Sequence, residues 1–293
     1  VVRFFGLHRL IPGIPFLLVA LLFLVTLGLA TLKRLIPYRP GNVAYLLNHL
    51  GLWLAAAAML FGRGDYLEYR IAAREGLPAV RIVDAHGRPG TLPFALRLED
   101  FIMEEHPSRL ALYDPHDGRL TPIEESSPSP VVDGGWRLTV RAYLPDALEE
   151  SGAYRPDSGF GAVAAALVEA VHEERGERRE GWVSFGGPLV PPAALRLDRH
   201  MVTLEEPRPS RFASRVTVTP AKGAPFEALI EVNRPLAVEG WSLYQESYDR
   251  EMGRWSGLSV ITARRDPWLA IVYTGLTLLF GGTLILLWKG PGQ

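Results

Sequence analysis

Three long uncharged runs limit this chain before anything else does. Leu10–Leu32 is 23 residues without a charged side chain, and Pro267–Trp288 is 22. Pro40–Gly62 is another 23, and His49 is the one basic side chain inside it. A helix rises about 1.5 Å per residue, so each run can cross a hydrocarbon layer roughly 30 Å thick. Buried core helices of this length do not cluster at the two ends of a chain with no charge among them. The reading is therefore three transmembrane helices, at about 16–35, at 42–62 and from 267 onward, with Pro12 and Pro15 setting the first to start near Phe16.

The charges divide along the same lines. Every Asp and Glu lies between Asp65 and Asp266, and over 63–266 those 32 acidic residues face 25 basic ones. The six remaining basic residues, Arg3, Arg9, Lys33, Arg34, Arg39 and Lys289, lie in the flanks. The link 33–40 holds three of them and no acid, so the positive-inside tendency places it in the cytoplasm. The middle, 63–266, is then extracytoplasmic, and 267–293 returns through the membrane to a cytoplasmic tail. This count leaves Arg3 and Arg9 outside, and the chain starts at Val1, so a further segment upstream is expected. A cleavable signal peptide fits poorly, because the prolines head the first run and basic residues follow it. The near-neutral total gives no electrostatic case for nucleic acid. With no cysteine, the chain has no disulfide, thiolate metal site or thiol chemistry of its own.

The middle reads mostly as strands. Arg81–Asp84, Phe94–Leu98, Trp136–Tyr143, Arg215–Thr219 and Phe226–Val232 alternate apolar and polar residues or nearly so. His86-Gly-Arg-Pro-Gly, Asp114-Pro-His-Asp-Gly, Asp133-Gly-Gly and Lys222-Gly-Ala-Pro separate them as turns, and 124–130 reads as an exposed loop. That pattern predicts a β-rich sandwich or open barrel. One stretch breaks it. Phe160, Val163, Ala164, Leu167, Val168 and Val171 share a helical face, which predicts a helix over about 160–175.

Motifs in the middle point to recognition rather than catalysis. Gly159-Phe-Gly-Ala-Val-Ala has the letters of a dinucleotide fingerprint but follows a loop where the motif needs a buried strand. His86 and His116 sit in turns, His106 precedes a proline, His172 would end the helix and His200 falls on a strand. None has zinc-site spacing to another, and Gly181-Trp-Val-Ser-Phe-Gly is not a nucleophile elbow.

His49 is the residue that calls for a function. An ionisable group within a spanning helix is costly and ordinarily meets a partner, a ligand or a water path. Nine residues past Pro40 it lies roughly 13 Å in from the cytoplasmic edge. Tyr45, Trp53 and Asn42 share its face, and aromatic rings beside an imidazole suit a flat porphyrin ligated through its iron. Gly51 and Ala55–Ala58 would let another helix approach closely. Two readings stay open at this point: His49 as an iron ligand with Tyr45 and Trp53 as ring contacts, or His49 hydrogen-bonded to a neighbouring helix with the aromatics as packing.

Several stretches resemble the ResB (CcsB) family of System II cytochrome c biogenesis. The longest is Glu231-Val-Asn-Arg-Pro-Leu-Ala-Val-Glu-Gly-Trp-Ser-Leu-Tyr-Gln-Glu-Ser-Tyr-Asp, followed by Ser259-Val and Asp266-Pro-Trp. Leu92–Phe101, Pro209–Val218 and Asn48-His-Leu-Gly-Leu-Trp are similar to other family elements, whereas residues 140–200 carry none. Read on its own, the signature is a strand end at Glu231–Val232, a bend through Asn233, Pro235 and Gly240, and a new strand from Trp241, without an evident catalytic group. The family often has one more spanning helix than the three visible here.

The resemblance implies a bacterial inner-membrane protein that helps move haem b outward for attachment to apocytochrome c. It implies His49 as an axial ligand of the haem iron. It implies a CcsA/ResC-type tryptophan-rich haem protein as partner, apocytochrome c, a thioredoxin-like reductant and membrane lipid as further associates, and a non-catalytic or accessory role in the synthase. The alternative is a membrane anchor or assembly subunit of a respiratory or multihaem cytochrome complex with no haem of its own.

Overall fold

Residues 14–79, 82–123 and 129–289 are described by the structure, a computed structural model. Most of the loop expected at 124–130, and Arg81 of the first expected strand, lie outside these residues. The chain divides into two compact units. The smaller holds Val1–Tyr69, Gly240–Ser242 and Ala263–Gln293, and the larger holds Arg70–Glu239 and Leu243–Thr262.

The smaller unit contains α1 (Ile14–Leu35), α2 (Val43–Phe61) and α3 (Leu269–Lys289). All three are long and apolar enough to cross a membrane, α2 being extended by short 3-10 turns at Pro40–Asn42 and Gly62–Gly64. Among the described residues α1 already includes Ile14 and Pro15, ahead of the start expected near Phe16. Asp266 accepts the Trp268 N–H at 3.0 Å and so caps the entry to α3.

Small residues bring α2 and α3 together. A Cβ built on Gly51 would lie 2.5 Å from the Gly275 carbonyl oxygen and 2.6 Å from the Leu279 nitrogen. One built on Gly282 would lie 2.8 Å from both the Ala44 oxygen and the Asn48 nitrogen. Ala44, Ala55 and Ala58 are buried along the same seam. In lipid, helices gain little from hydrophobicity and associate through such close backbone packing and through interhelical hydrogen bonds. One such bond crosses here, from Thr283 Oγ1 to Asn48 Oδ1 at 3.0 Å. At the other end Gly62 leaves room for the Trp268 ring, whose Nε1 donates to Asp65 Oδ2 at 2.7 Å.

The larger unit is made of strands. In chain order they are β1 (Leu67–Arg74), β2 (Ile82–Val83), β3 (Ala95–Glu105), β4 (Leu110–Asp114), β5 (Arg119–Pro122), β6 (Val131–Val132), β7 (Trp136–Glu150) and β8 (Ala153–Pro156). There follow β9 (Val163–His172), β10 (Arg178–Val183), β11 (Leu195–Arg196), β12 (Met201–Leu204), β13 (Pro209–Thr219), β14 (Phe226–Glu231), β15 (Leu236–Val238), β16 (Trp241–Tyr248) and β17 (Leu258–Arg265). β1, β16 and β17 have one end in the smaller unit.

Two sheets form a sandwich, as the alternation predicted. One has the order β10-β9-β7-β6 with β8 beside β7, and the other β11-β12-β4-β5. Trp136, Leu138, Ala166, Val168, Ala170, Val183, Val202 and Leu204 fill the space between them. A three-stranded sheet, β14-β13-β3, and a five-stranded one, β15-β16-β17-β1-β2, complete the set.

The helix expected over 160–175 is strand β9, paired antiparallel to β7 and β10. Both faces of β9 are covered. Ala166, Val168 and Ala170 point into the sandwich core, while Val163 and Ala165 belong to a second cluster with Ala147 and Tyr154. Covering both faces makes Val163–Val168 continuously apolar, and a continuous run satisfies a helical face as readily as a strand. Gly159 and Gly161 consequently lie in the turn before a strand, and His172 ends that strand, buried edge-on to Trp136 with ring centroids 5.3 Å apart. His200 lies in the bend just before β12 rather than on a strand.

His200 does have a structural role. Its Nδ1 is 2.6 Å from Asp133 Oδ1, and Asp133 Oδ2 accepts the Arg199 and His200 backbone N–H groups at 3.0 and 3.2 Å. Burial pushes the Asp133 carboxyl up, but the His200 hydrogen bond and the two backbone donors outweigh it, leaving the group below its usual range. A carboxyl depressed in the folded chain stabilises above its unfolded value of about 3.9 and loses that contribution as pH falls through the folded value. Asp133→Asn should therefore show a smaller loss of melting temperature than the parent between pH 5 and pH 3, in acid-titration melts of the full chain. Equal losses would remove Asp133 from the acid response.

Candidate functional site

The Tyr45-His49-Trp53 stripe of α2 is distinct from the small-residue seam that meets α3. Four-residue spacing stacks these three side chains on one helical face. Trp53 is turned toward α1: its Nε1 donates to the Leu24 carbonyl at 2.9 Å, and Gly28 leaves room for the indole. The expected ring contact thus spends its polar atom on helix packing.

His49 is held from within its own helix. Its Nδ1 is 2.9 Å from the Tyr45 carbonyl oxygen. That oxygen can only accept, so Nδ1 carries a proton, and in the neutral ring Nε2 keeps its lone pair. The Tyr45 ring stacks on the imidazole, with centroids 3.6 Å apart and planes inclined by 23°. Tyr45 therefore covers one face of His49, and the Arg34 guanidinium lies 4.4 Å from the centre of the Tyr45 ring. Among the described residues Nε2 has no hydrogen-bond partner.

This arrangement suits ligation of a metal by one imidazole. A ring whose Nδ1–H is fixed by a carbonyl has its orientation and tautomer set, as ligating histidines do. Among the described residues no group of three His, Asp or Glu side chains could hold a metal ion. Sequence reasoning brought out His49, Tyr45 and Trp53 but missed Arg34 and Thr283. Asn48, the second strongly polar side chain midway along α2, was the signal for a partner on another helix. Asn42, placed on the His49 face by spacing, instead donates to the Arg34 carbonyl at 3.2 Å and ties the two helix ends together.

The residues of the long signature are explained by packing in the units they occupy. Asn233 and Glu239 adopt left-handed backbone, with φ of 66° and 46°, and Gly240 follows at 79°, so the bend is built from three strained or permissive positions. Gln245 accepts from Ser214 Oγ at 2.5 Å and from Ser259 Oγ at 3.1 Å, and both serines are fully buried. Tyr248 stacks on Phe101 and Phe212, with centroids 5.1 and 5.3 Å away. In the smaller unit Trp241 stacks on Tyr69 at 5.5 Å.

Residues 170–256 match the model of the ResB-like family. The match takes in Glu231–Asp249 of the signature and also reaches back over 170–200, where the sequence carries no resemblance of its own. No curated protein matches the chain. Three helices of membrane-spanning length and a β-rich unit that holds most of the matched segment accompany this similarity to the ResB-like family, which is known for cytochrome c biogenesis.

Proposed function

We propose that this chain is a haem-handling subunit of a System II cytochrome c synthase, with His49 as an axial ligand on the haem's way to the outer face. The observation that carries the reading is the His49 ring itself. Nδ1–H is bound to the Tyr45 carbonyl, and Nε2 is left as a donor within a spanning helix. Haem would supply an iron centre that accepts that lone pair. The chain's own residues do the rest: Tyr45 supports one face of the imidazole, Arg34 adds positive charge beside that stack, and the α2–α3 seam holds the helix still. The site lies nearer the basic link 33–40, so it serves entry from the cytoplasmic side. Thioether formation would fall to the CcsA/ResC-type partner, with apocytochrome c as acceptor and the β-rich unit outside the bacterial inner membrane.

The test is an absorption spectrum of the full chain purified together with its tryptophan-rich partner. The parent should carry a Soret band, and His49→Ala should lose most of it while Trp53→Phe keeps it. A band equally strong in His49→Ala would overturn the ligand assignment. Absence of any haem with the partner bound would leave the anchor reading in its place.

A further inference from the structure

Among the described residues of the larger unit, one long strand has no strand neighbour along half of one edge. β3 ends the sheet β14-β13-β3, paired to β13 on one side. On the other side its first half is covered: the Leu96 and Leu98 carbonyls accept from Ala79 and Gly76. Its second half is lined by cavities instead. One of about 660 Å³ runs along Asp100–Met103 and another of about 450 Å³ along Met103–Ser108, with β7 residues Tyr143–Asp146, Arg254 and Trp255 among the opposite walls.

Backbone parity shows which groups face this trough. The Phe101 N–H points away from β13, donating to Glu75 Oε1 at 3.1 Å, whereas the His106 N–H points toward the β13 side, to the Arg208 carbonyl at 2.8 Å. The irregularity nearby lies between Pro209 and Arg211 on β13, which leaves the alternation of β3 intact from 101 to 106. Met103 and Glu105 therefore present their N–H and C=O groups to the trough, which is the template that strand addition uses.

The charge of the trough fits one kind of occupant. Arg254 spans it, lying 3.5 Å from Glu105 on β3 and bonded to Asp146 on β7. Burial still pushes the Glu105 carboxyl above its ordinary range in spite of Arg254. Beyond these lie Glu206 and Glu251, both exposed, in the adjoining cavity of about 410 Å³, which Arg250 also lines together with the apolar Met103, Met252 and Trp255. Acidic side chains around an apolar floor and an open strand edge are complementary to an extended chain that carries a cation.

We propose that this trough binds an extended, basic segment of a partner polypeptide, which adds as a strand to β3 at Met103–Glu105 and sets a cationic side chain beside Glu105 and Asp146. The proposal is independent of haem binding at His49.

The experiment uses the full chain in lipid nanodiscs, with empty nanodiscs as the blank. The probe is a blocked nine-residue peptide of threonine and valine with arginine at its centre. Binding should saturate and slow amide exchange at least ten-fold at Met103 and Glu105. A central glutamate in place of arginine, or N-methylation of alternate peptide nitrogens, should weaken binding at least ten-fold. Glu105→Gln and Asp146→Asn should each weaken it, while Glu174→Gln, on an exposed turn, should not. No saturable binding, equal binding of the arginine and glutamate peptides, equal binding of the N-methylated peptide, or protection confined elsewhere would overturn the proposal.

Discussion

Replacing Gly51 with leucine should separate α2 from α3 and leave little folded protein in the membrane. Even the Cβ has no room: it would meet the Gly275 oxygen at 2.5 Å and the Leu279 nitrogen at 2.6 Å, both backbone atoms of the partner helix. Overpacked side chains can sometimes turn aside, at a cost of about 1–3 kcal/mol. Backbone cannot, so the expected cost lies at or beyond the top of that range. Moving the helices apart would also break the Thr283–Asn48 hydrogen bond, which has no water to replace it within lipid. Gly281→Leu is the control, since a Cβ there meets nothing within 4 Å. Thermal melts and membrane yield of the two variants check this. Equal behaviour of Gly51→Leu and Gly281→Leu would show that the seam does not hold the bundle.

Gln245→Leu should be the most damaging conservative-volume change in the family signature. The leucine would strand two buried hydroxyls, Ser214 and Ser259, whose oxygens lie 2.7 Å apart and which both reach Gln245 Oε1. A buried group left without its partner costs roughly 1–3 kcal/mol, and one of the two serines can still donate to the other. The full effect is therefore expected at about 1–3 kcal/mol. The strands involved, β13, β16 and β17, would lose their one shared polar contact among the described residues here. Combining Gln245→Leu with Ser214→Ala and Ser259→Ala should recover much of the loss, because apolar groups leave nothing unpaired. Melting temperatures of the single and triple variants check it. A triple variant less stable than the single one would mean that the serines matter for more than this network.

The signature's significance changed once its neighbours were known. In the sequence, Gln245 and Tyr248 were letters in a pattern with no evident chemistry. In three dimensions they join segments more than thirty residues distant, Gln245 to Ser214 and Tyr248 to Phe101. Such pairings are long-range, and no local periodicity encodes them. The site in α2 was the reverse case. His49, Tyr45 and Trp53 stood out because lipid makes a polar atom conspicuous, and four-residue spacing alone put them on one face. Their separate duties, Trp53 to α1 and Tyr45 to the imidazole, depended on how the helices came together.

From the chain alone came the three spanning segments, the strand-rich middle, most of its turns and the histidine worth testing. These follow from length, absence of charge and alternation, which act locally and hold whatever the neighbours are. Tertiary structure alone decided that 163–172 is a strand, that Gly51 faces Gly275, and that one edge of β3 lacks a strand neighbour along half its length among the described residues. Each of those depends on what covers a surface, and a run covered on both faces has no periodicity left to reveal its conformation.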